Sequence, residues 1–175
     1  MRRKNILLLA AALAAAGLSL KSQRGSGAQD SASTLAPAFK LPDTNGRLVS
    51  LSDLKGQVVL LNFWATWCDT CAEEAPILKA VYRRHQGRGF SLLAVSVDEN
   101  GKGAVLPYLA KHPVDFPVLL TDVATQQAYK IFGLPANFLI DAGGRIARVY
   151  QGPVDEKTLE NDILELQAIQ NPRRS

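Results

Sequence analysis

Eight consecutive residues at 58–65, VVLLNFWA, carry one polar side chain, Asn62. An apolar run of this length after Gly56 reads as a strand covered on both faces, and it predicts a central strand over Val58–Ala65. FSLLAVSVD, beginning at Phe90, predicts a second buried strand, and FPVLLTD, beginning at Phe116, a short third. Between the first two, CDTCAEEAPILKAVYRRHQ has apolar residues at helical spacing and stops before Gly87, with Pro76 marking a kink inside it. AVLPYLAKH predicts a short helix interrupted or started at Pro107, and DVATQQAYKIF a helix capped by Asp122. FKL and RLVS flank the turn sequence PDTNG, and ANFLID and RIARVYQG flank AGG, so each pair predicts a hairpin. DEKTLENDILELQAIQ closes the pattern as an amphipathic helix capped by Asp155. Strands and helices alternate, which predicts an α/β fold: a central mixed β-sheet flanked by helices on both faces.

The first 29 residues follow a different pattern. MRRKNILLLAAALAAAGLSLKSQRGSGAQ has a positive start, an apolar stretch from Ile6 to Leu20 and a polar Gly/Ser-rich segment. That is an export signal or a membrane anchor with a polar linker, residues 1–29, ahead of one domain at 30–175. At about 1.5 Å per helical residue the stretch falls short of a bilayer core of roughly 30 Å, which favours a cleaved signal. Lys21 and Arg24, sitting where a neutral approach to a cutting site is expected, favour a retained anchor. Either one puts the domain outside the cytoplasm, in a periplasm or on the outer face of the cytoplasmic membrane.

Charge adds little once the leader is set aside. The chain of 175 residues is +4 at neutral pH, but Arg2, Arg3, Lys4, Lys21 and Arg24 all precede the first acid, Asp30. Removing them leaves about –1 for residues 30–175. No clustered basic surface with interleaved aromatics remains, so nucleic acid is not an expected partner.

Both cysteines of the chain, Cys68 and Cys71, lie in FWATWCDTC. A strand ending at Ala65 and a helix beginning near Cys68 place the first sulfur at a helix amino terminus, where unpaired N–H groups favour thiolate. Thiolate is the species that attacks a disulfide, and a free cysteine, with a pKa of about 8.5, is mostly thiol at neutral pH. Cys71, one turn on, is placed to attack a mixed disulfide on Cys68 and release the partner. Three other readings compete. A purely structural disulfide across so short a loop removes little chain entropy. Zinc needs two more ligands, and His85 and His112 are not in finger spacing. Copper(I) held by two thiolates stays open, because soft ligands suit it.

VVLLNFWATWCDTCAEEAP, with FGLPANFLID downstream and APAFKLPDTNGRLVSLSDLKGQ upstream, resembles the thioredoxin superfamily, and within it the exported TlpA/ResA-like thiol-disulfide oxidoreductases with their redoxin-like domain. The resemblance spans about Leu35 to Leu166. It implies a thioredoxin-like fold with an N-terminal β-hairpin and a central insertion, the latter matching VDENGKGAVLPYLAKHPVDFPVLLTD. It also implies that Cys68 is the nucleophile, that Cys71 is a buried resolving thiol, and that the two form a redox disulfide. Pro135 resembles the family's cis-proline, beside which Leu134 offers its backbone to an extended substrate. Trp67 is a candidate for a shelf on which substrate rests. Trp64 competes between a substrate shelf with Trp67 and core packing.

Glu74, three residues after Cys71, shares a helical face with it and resembles the active-site glutamate of the ResA-like group; Glu73 points about 100° away. A carboxylate there suits removal of the Cys71 proton, because burial beside a thiol raises a carboxyl group's proton affinity. In thioredoxins proper the acid lies on the preceding strand, where this chain has Asn62, which cannot titrate. The chain also departs from its relatives in having Thr70, not proline, before the second cysteine, and Asn137 where threonine is frequent after the cis-proline. Asp69 opposes a neighbouring thiolate by its charge, which points to a more reducing dithiol.

Together these readings imply a protein-disulfide reductase outside the cytoplasm, with no cofactor or metal. Its expected partners are disulfide-containing proteins, among them apocytochrome c in cytochrome c maturation, and a membrane-bound electron donor. A copper(I)-binding or assembly protein and a thiol peroxidase are the alternatives. Peroxidases of this kind place threonine three residues before the reactive cysteine, and here that position is Ala65.

Overall fold

A computed structural model describes residues 34–170. The leader expected at 1–29 lies outside the described residues. Among the described residues, no helix is long and apolar enough to cross a membrane.

Two short strands, β1 (Lys40–Pro42) and β2 (Leu48–Ser50), pair antiparallel as the first expected hairpin. Its turn is fastened by Asp43, whose side chain accepts from the N–H groups of Asn45 and Arg47. The main sheet contains β3 (Val58–Trp64), β4 (Phe90–Ser96), β5 (Val118–Leu120), β6 (Ala136–Ile140) and β7 (Ile146–Gln151) in the order β5-β4-β3-β6-β7. β3, β4 and β5 run parallel, while β6 and β7 are antiparallel to their neighbours. The sheet is therefore mixed, and β3 lies at its centre.

Side-chain alternation along β3 divides the core. Val58, Leu60 and Trp64 belong to one buried cluster, together with Leu78 and Val81 of α1 (Asp69–His85), Val105 of α2 (Lys102–Lys111), and Leu159, Ile163 and Leu166 of α4 (Glu156–Gln170). Val59, Leu61 and Phe63 belong to the other, with Phe39, Leu41 and Val49 of the hairpin segment and Tyr129 at the end of α3 (Val123–Ala128). Each large apolar side chain buried this way contributes on the order of 2 kcal/mol relative to exposure. The same period of two sends Asn62 to the face covered by α1 and α4, which is what brings it beneath the first turns of α1.

One helix treats proline differently from expectation. α2 is continuous from Lys102 to Lys111, so Pro107 neither starts nor interrupts it. The carbonyl that this proline leaves without a donor belongs to Gly103, on an exposed first turn where water can take the bond. α1 contains Pro76, as its sequence predicts, on its exposed side. The caps at Asp122 and Asp155 form as expected: Asp122 accepts from the Thr125 N–H at 2.7 Å, and Asp155 from Lys157 and Thr158. The segment that resembles a central insertion folds as α2 and β5, a helix and an edge strand added beyond β4.

Candidate active site

β3 ends at Trp64, the chain turns through Ala65–Trp67, and α1 starts at Asp69 with Cys68 as its N-cap. The turn is pinned from β4. Asp98 accepts from the Thr66 N–H at 3.0 Å and from its hydroxyl at 2.6 Å, and also from the Ser96 hydroxyl at 2.8 Å. Sequence reasoning did not find this clamp, although a lone Thr after a buried strand and an Asp after its parallel neighbour mark both ends of it.

Cys68 and Cys71 form a disulfide, with Cα atoms 5.3 Å apart. Cys68 Sγ accepts from the Cys71 N–H at 3.2 Å, and the Thr70 hydroxyl lies 3.5 Å from the same sulfur. The first-turn donors of α1 therefore converge on Cys68, while Cys71 sits inside the helix. Burial does not separate the two cysteines in this oxidised form, since Cys68 is 8% exposed and Cys71 6%. The asymmetry between them lies in hydrogen bonding at a helix end, a site that holds negative charge.

Glu74 is 1% exposed and sits at the hub of a polar cluster inside the core. Its Oε2 accepts from the Asn62 side-chain amide at 3.0 Å, and its Oε1 accepts from the Asn137 side-chain amide at 2.8 Å and from the Val154 N–H at 2.9 Å. Asn62 also donates to Asn137 Oδ1 at 2.9 Å. These two asparagines are cross-strand partners on β3 and β6, so one carboxylate ties together the sheet, α1 and the approach to α4. Desolvation raises the proton affinity of Glu74 above the ordinary carboxylate value, against the three donors that lower it. Sequence reasoning singled out Glu74 and noticed both asparagines without connecting them. The signal was present: each is the single polar residue in an otherwise apolar buried strand, and buried amides need partners.

The other expected site residues also have definite places. The Leu134–Pro135 peptide bond is cis. The Pro135 carbonyl is taken by the Gly152 N–H at 2.9 Å, and Leu134 lies just before β6. Trp67 is 70% exposed, and it lines an open groove of about 1280 Å³ together with Thr66, Asp98, Phe132 and Leu134. Trp64 does not share that shelf. It is buried against Tyr108, with ring centroids 5.3 Å apart, and it borders a separate cavity of about 160 Å³ that Cys71, Asn62 and Ala94 also line. Among the described residues, no group of three or more His, Cys, Asp or Glu is placed to hold a metal ion.

The disulfide at a helix N-cap, the groove beside it and the cis peptide bond form a constellation suited to exchanging disulfides with an extended partner. Comparison with known proteins agrees. The redoxin family pattern matches residues 31–164. The thiol-disulfide oxidoreductase ResA of Bacillus subtilis (strain 168) is 41% identical over 127 residues, which is 72% of this chain and 70% of that protein. ResA of Bacillus anthracis is 34% identical over 131 residues, 71% of this chain and 72% of that protein. Among solved structures, a thiol:disulfide interchange protein of the thioredoxin family from Chlorobium tepidum TLS superposes with a TM-score of 0.70 at 28% identity, covering 77% of this chain and 97% of its own. The thioredoxin domain of thiol-disulfide oxidoreductase BVU-2223 from Bacteroides vulgatus gives 0.69 at 28% identity, covering 75% and 96%. With its thioredoxin-like fold and its Cys68–Cys71 pair, the chain belongs to the redoxin family, among the ResA-like thiol-disulfide oxidoreductases.

Proposed function

We propose that this chain reduces protein disulfides outside the cytoplasm, with Cys68 as the attacking thiolate, Cys71 as the resolving thiol and Glu74 as the acceptor of the Cys71 proton. The observation that carries this reading is the convergence of first-turn donors on Cys68 Sγ, with a buried carboxylate one turn beyond Cys71 on the same helix.

In the reduced enzyme the Cys68 thiolate attacks one sulfur of the partner's disulfide, and the other partner sulfur leaves as a thiolate. Cys71 then gives up its proton to Glu74 and attacks Cys68 Sγ. The Cys68–Cys71 bond forms, the mixed disulfide breaks, and the second partner sulfur leaves and takes up a proton. Two electrons pass from the enzyme dithiol to the partner, so each cycle requires a dithiol donor to restore Cys68 and Cys71. A membrane-bound donor meets that need for a domain behind an export leader, and apocytochrome c, which must hold two free thiols to accept haem, is a substrate of the right chemistry. Leu134, on the rim of the groove and next to the cis bond, offers its backbone to the partner, and Trp67 covers the partner's apolar side chains.

The test is covalent capture. In cells, Cys71→Ala leaves the first mixed disulfide unresolved, so non-reducing gels of the variant show disulfide-linked partners through Cys68 that vanish on reduction. Absence of any such adduct, with the variant folded and exported, refutes the reading.

A further inference from the structure

The groove that Thr66 and Trp67 line, just ahead of Cys68, combines two features that a general disulfide reductase does not require. First, it presents large apolar side chains to water: Phe132 is 91% exposed, Trp67 70% and Val123 67%, and all three line it. Phe132 lies in the short link between α3 and the cis bond, next to the backbone that meets a partner. A phenylalanine ring standing in water marks a contact surface better than it serves the monomer.

Second, the charged residues lining the groove are all acids. They are Asp98, Glu99 and Asp122, with no Lys, Arg or His among the lining residues. Asp98 and Asp122 already accept hydrogen bonds from the turn and from α3. The Thr125 side chain and N–H hold Asp122 below the ordinary carboxylate value. Glu99 is exposed and makes no ion pair or hydrogen bond among the described residues. The groove is thus a negative surface with aromatic faces, and that pairing of chemistries recognises a cationic side chain, whose head meets carboxylates while its stem or guanidinium plane lies on a ring.

Resting on the reductase reading above, we propose that the groove selects partners whose reactive cysteine is flanked, within about three residues, by an arginine or lysine and an apolar residue. Three extended residues span on the order of 10 Å, which sets the reach of a segment held at Cys68 and lying along Leu134 and Phe132. The specificity then resides in Glu99, Phe132 and Trp67, and electrostatic attraction speeds encounter as well as holding the bound segment.

The test uses the whole protein and three peptide disulfides that differ only at the residue beside the cysteine: Arg, Gln or Glu. The expected order of kcat/KM is Arg, Gln, Glu, with about tenfold between the ends at low salt and a compressed range at high ionic strength. Glu99→Gln narrows the range, and Phe132→Ser lowers kcat/KM for the Arg peptide through KM. Affinities of the same peptides with serine in place of cysteine, measured by calorimetry, follow the same order without any turnover. Peptides bound in that order but never reduced would sink the reductase reading and leave the groove proposal standing. Equal affinity for the three, or an order untouched by Glu99→Gln and Phe132→Ser together, overturns the groove proposal.

Discussion

Asn137 on β6 gives its side-chain amide to Glu74 on α1 at 2.8 Å, in a part of the core where neither residue reaches water. Removing the donor leaves a buried carboxylate oxygen less satisfied and also strips Asn62 of an acceptor. Asn137→Ala is expected to cost about 1–3 kcal/mol in urea unfolding. Asn137→Thr, which keeps a hydroxyl able to donate, should recover part of that loss. Equal stability of wild type and Asn137→Ala would show that the cluster contributes nothing net.

The proton affinity of Glu74 sets a pH dependence with a definite sign. Its folded-state pKa lies above the ordinary 4.5, because burial outweighs the donors. Between those two values the native state binds more protons than the unfolded chain, so this group's contribution to stability falls as pH rises through the window. Well above the window the penalty for a buried carboxylate is fully present. Unfolding measured from about pH 4 to 8 should therefore show wild type losing stability relative to Glu74→Gln as pH rises, the reverse of a carboxylate whose proton affinity is lowered on folding.

Asp69 occupies the first turn of α1, directly after Cys68. Its charge favours the helix terminus but disfavours a second negative charge next to it. Asp69→Asn should therefore raise the alkylation rate of reduced Cys68 at neutral pH by about two- to fivefold. The same change should lower thermal stability by about 0.3–1 kcal/mol. Opposite signs for reactivity and stability are the diagnostic; a slower alkylation removes Asp69 from any account of the redox poise.

The clamp from Asp98 onto Thr66 holds the turn that presents Cys68. Asp98→Ala deletes an acceptor for three donors and should cost about 1–3 kcal/mol. It should also slow disulfide exchange, because the turn then loses its fixed approach to α1. Thr66→Ser keeps the hydroxyl bond and should retain most of the rate, whereas Thr66→Val should not.

Much of this molecule could be read before any coordinates. VVLLNFWA and FSLLAVSVD are apolar enough to be nothing but buried strands, and CxxC after the first of them locates the reactive pair. The hairpins followed from PDTNG and AGG, and the caps of α3 and α4 from Asp122 and Asp155. What escaped were relationships across the sheet. Nothing local tells that Asn62 and Asn137 face each other, because antiparallel register between strands 75 residues apart is fixed by the whole fold. Local rules also overstate proline: Pro107 lies within a continuous helix because packing of Val105 against the core outweighs one lost hydrogen bond. Trp64 and Trp67 are three residues apart in one motif, yet one is core and the other surface, since the strand's alternation ends between them.

The most direct measurement is competitive alkylation of the fully reduced protein with iodoacetamide at neutral pH, mapped by mass spectrometry and compared with an unstructured peptide of the sequence TWCDTC. Hydrogen-bond donors converging on one sulfur at the helix end predict that Cys68 reacts at least about tenfold faster than Cys71 and faster than the peptide thiols. Cys71 reacting as fast as Cys68, or Cys68 reacting no faster than the peptide, contradicts the assignment of attacking and resolving thiols.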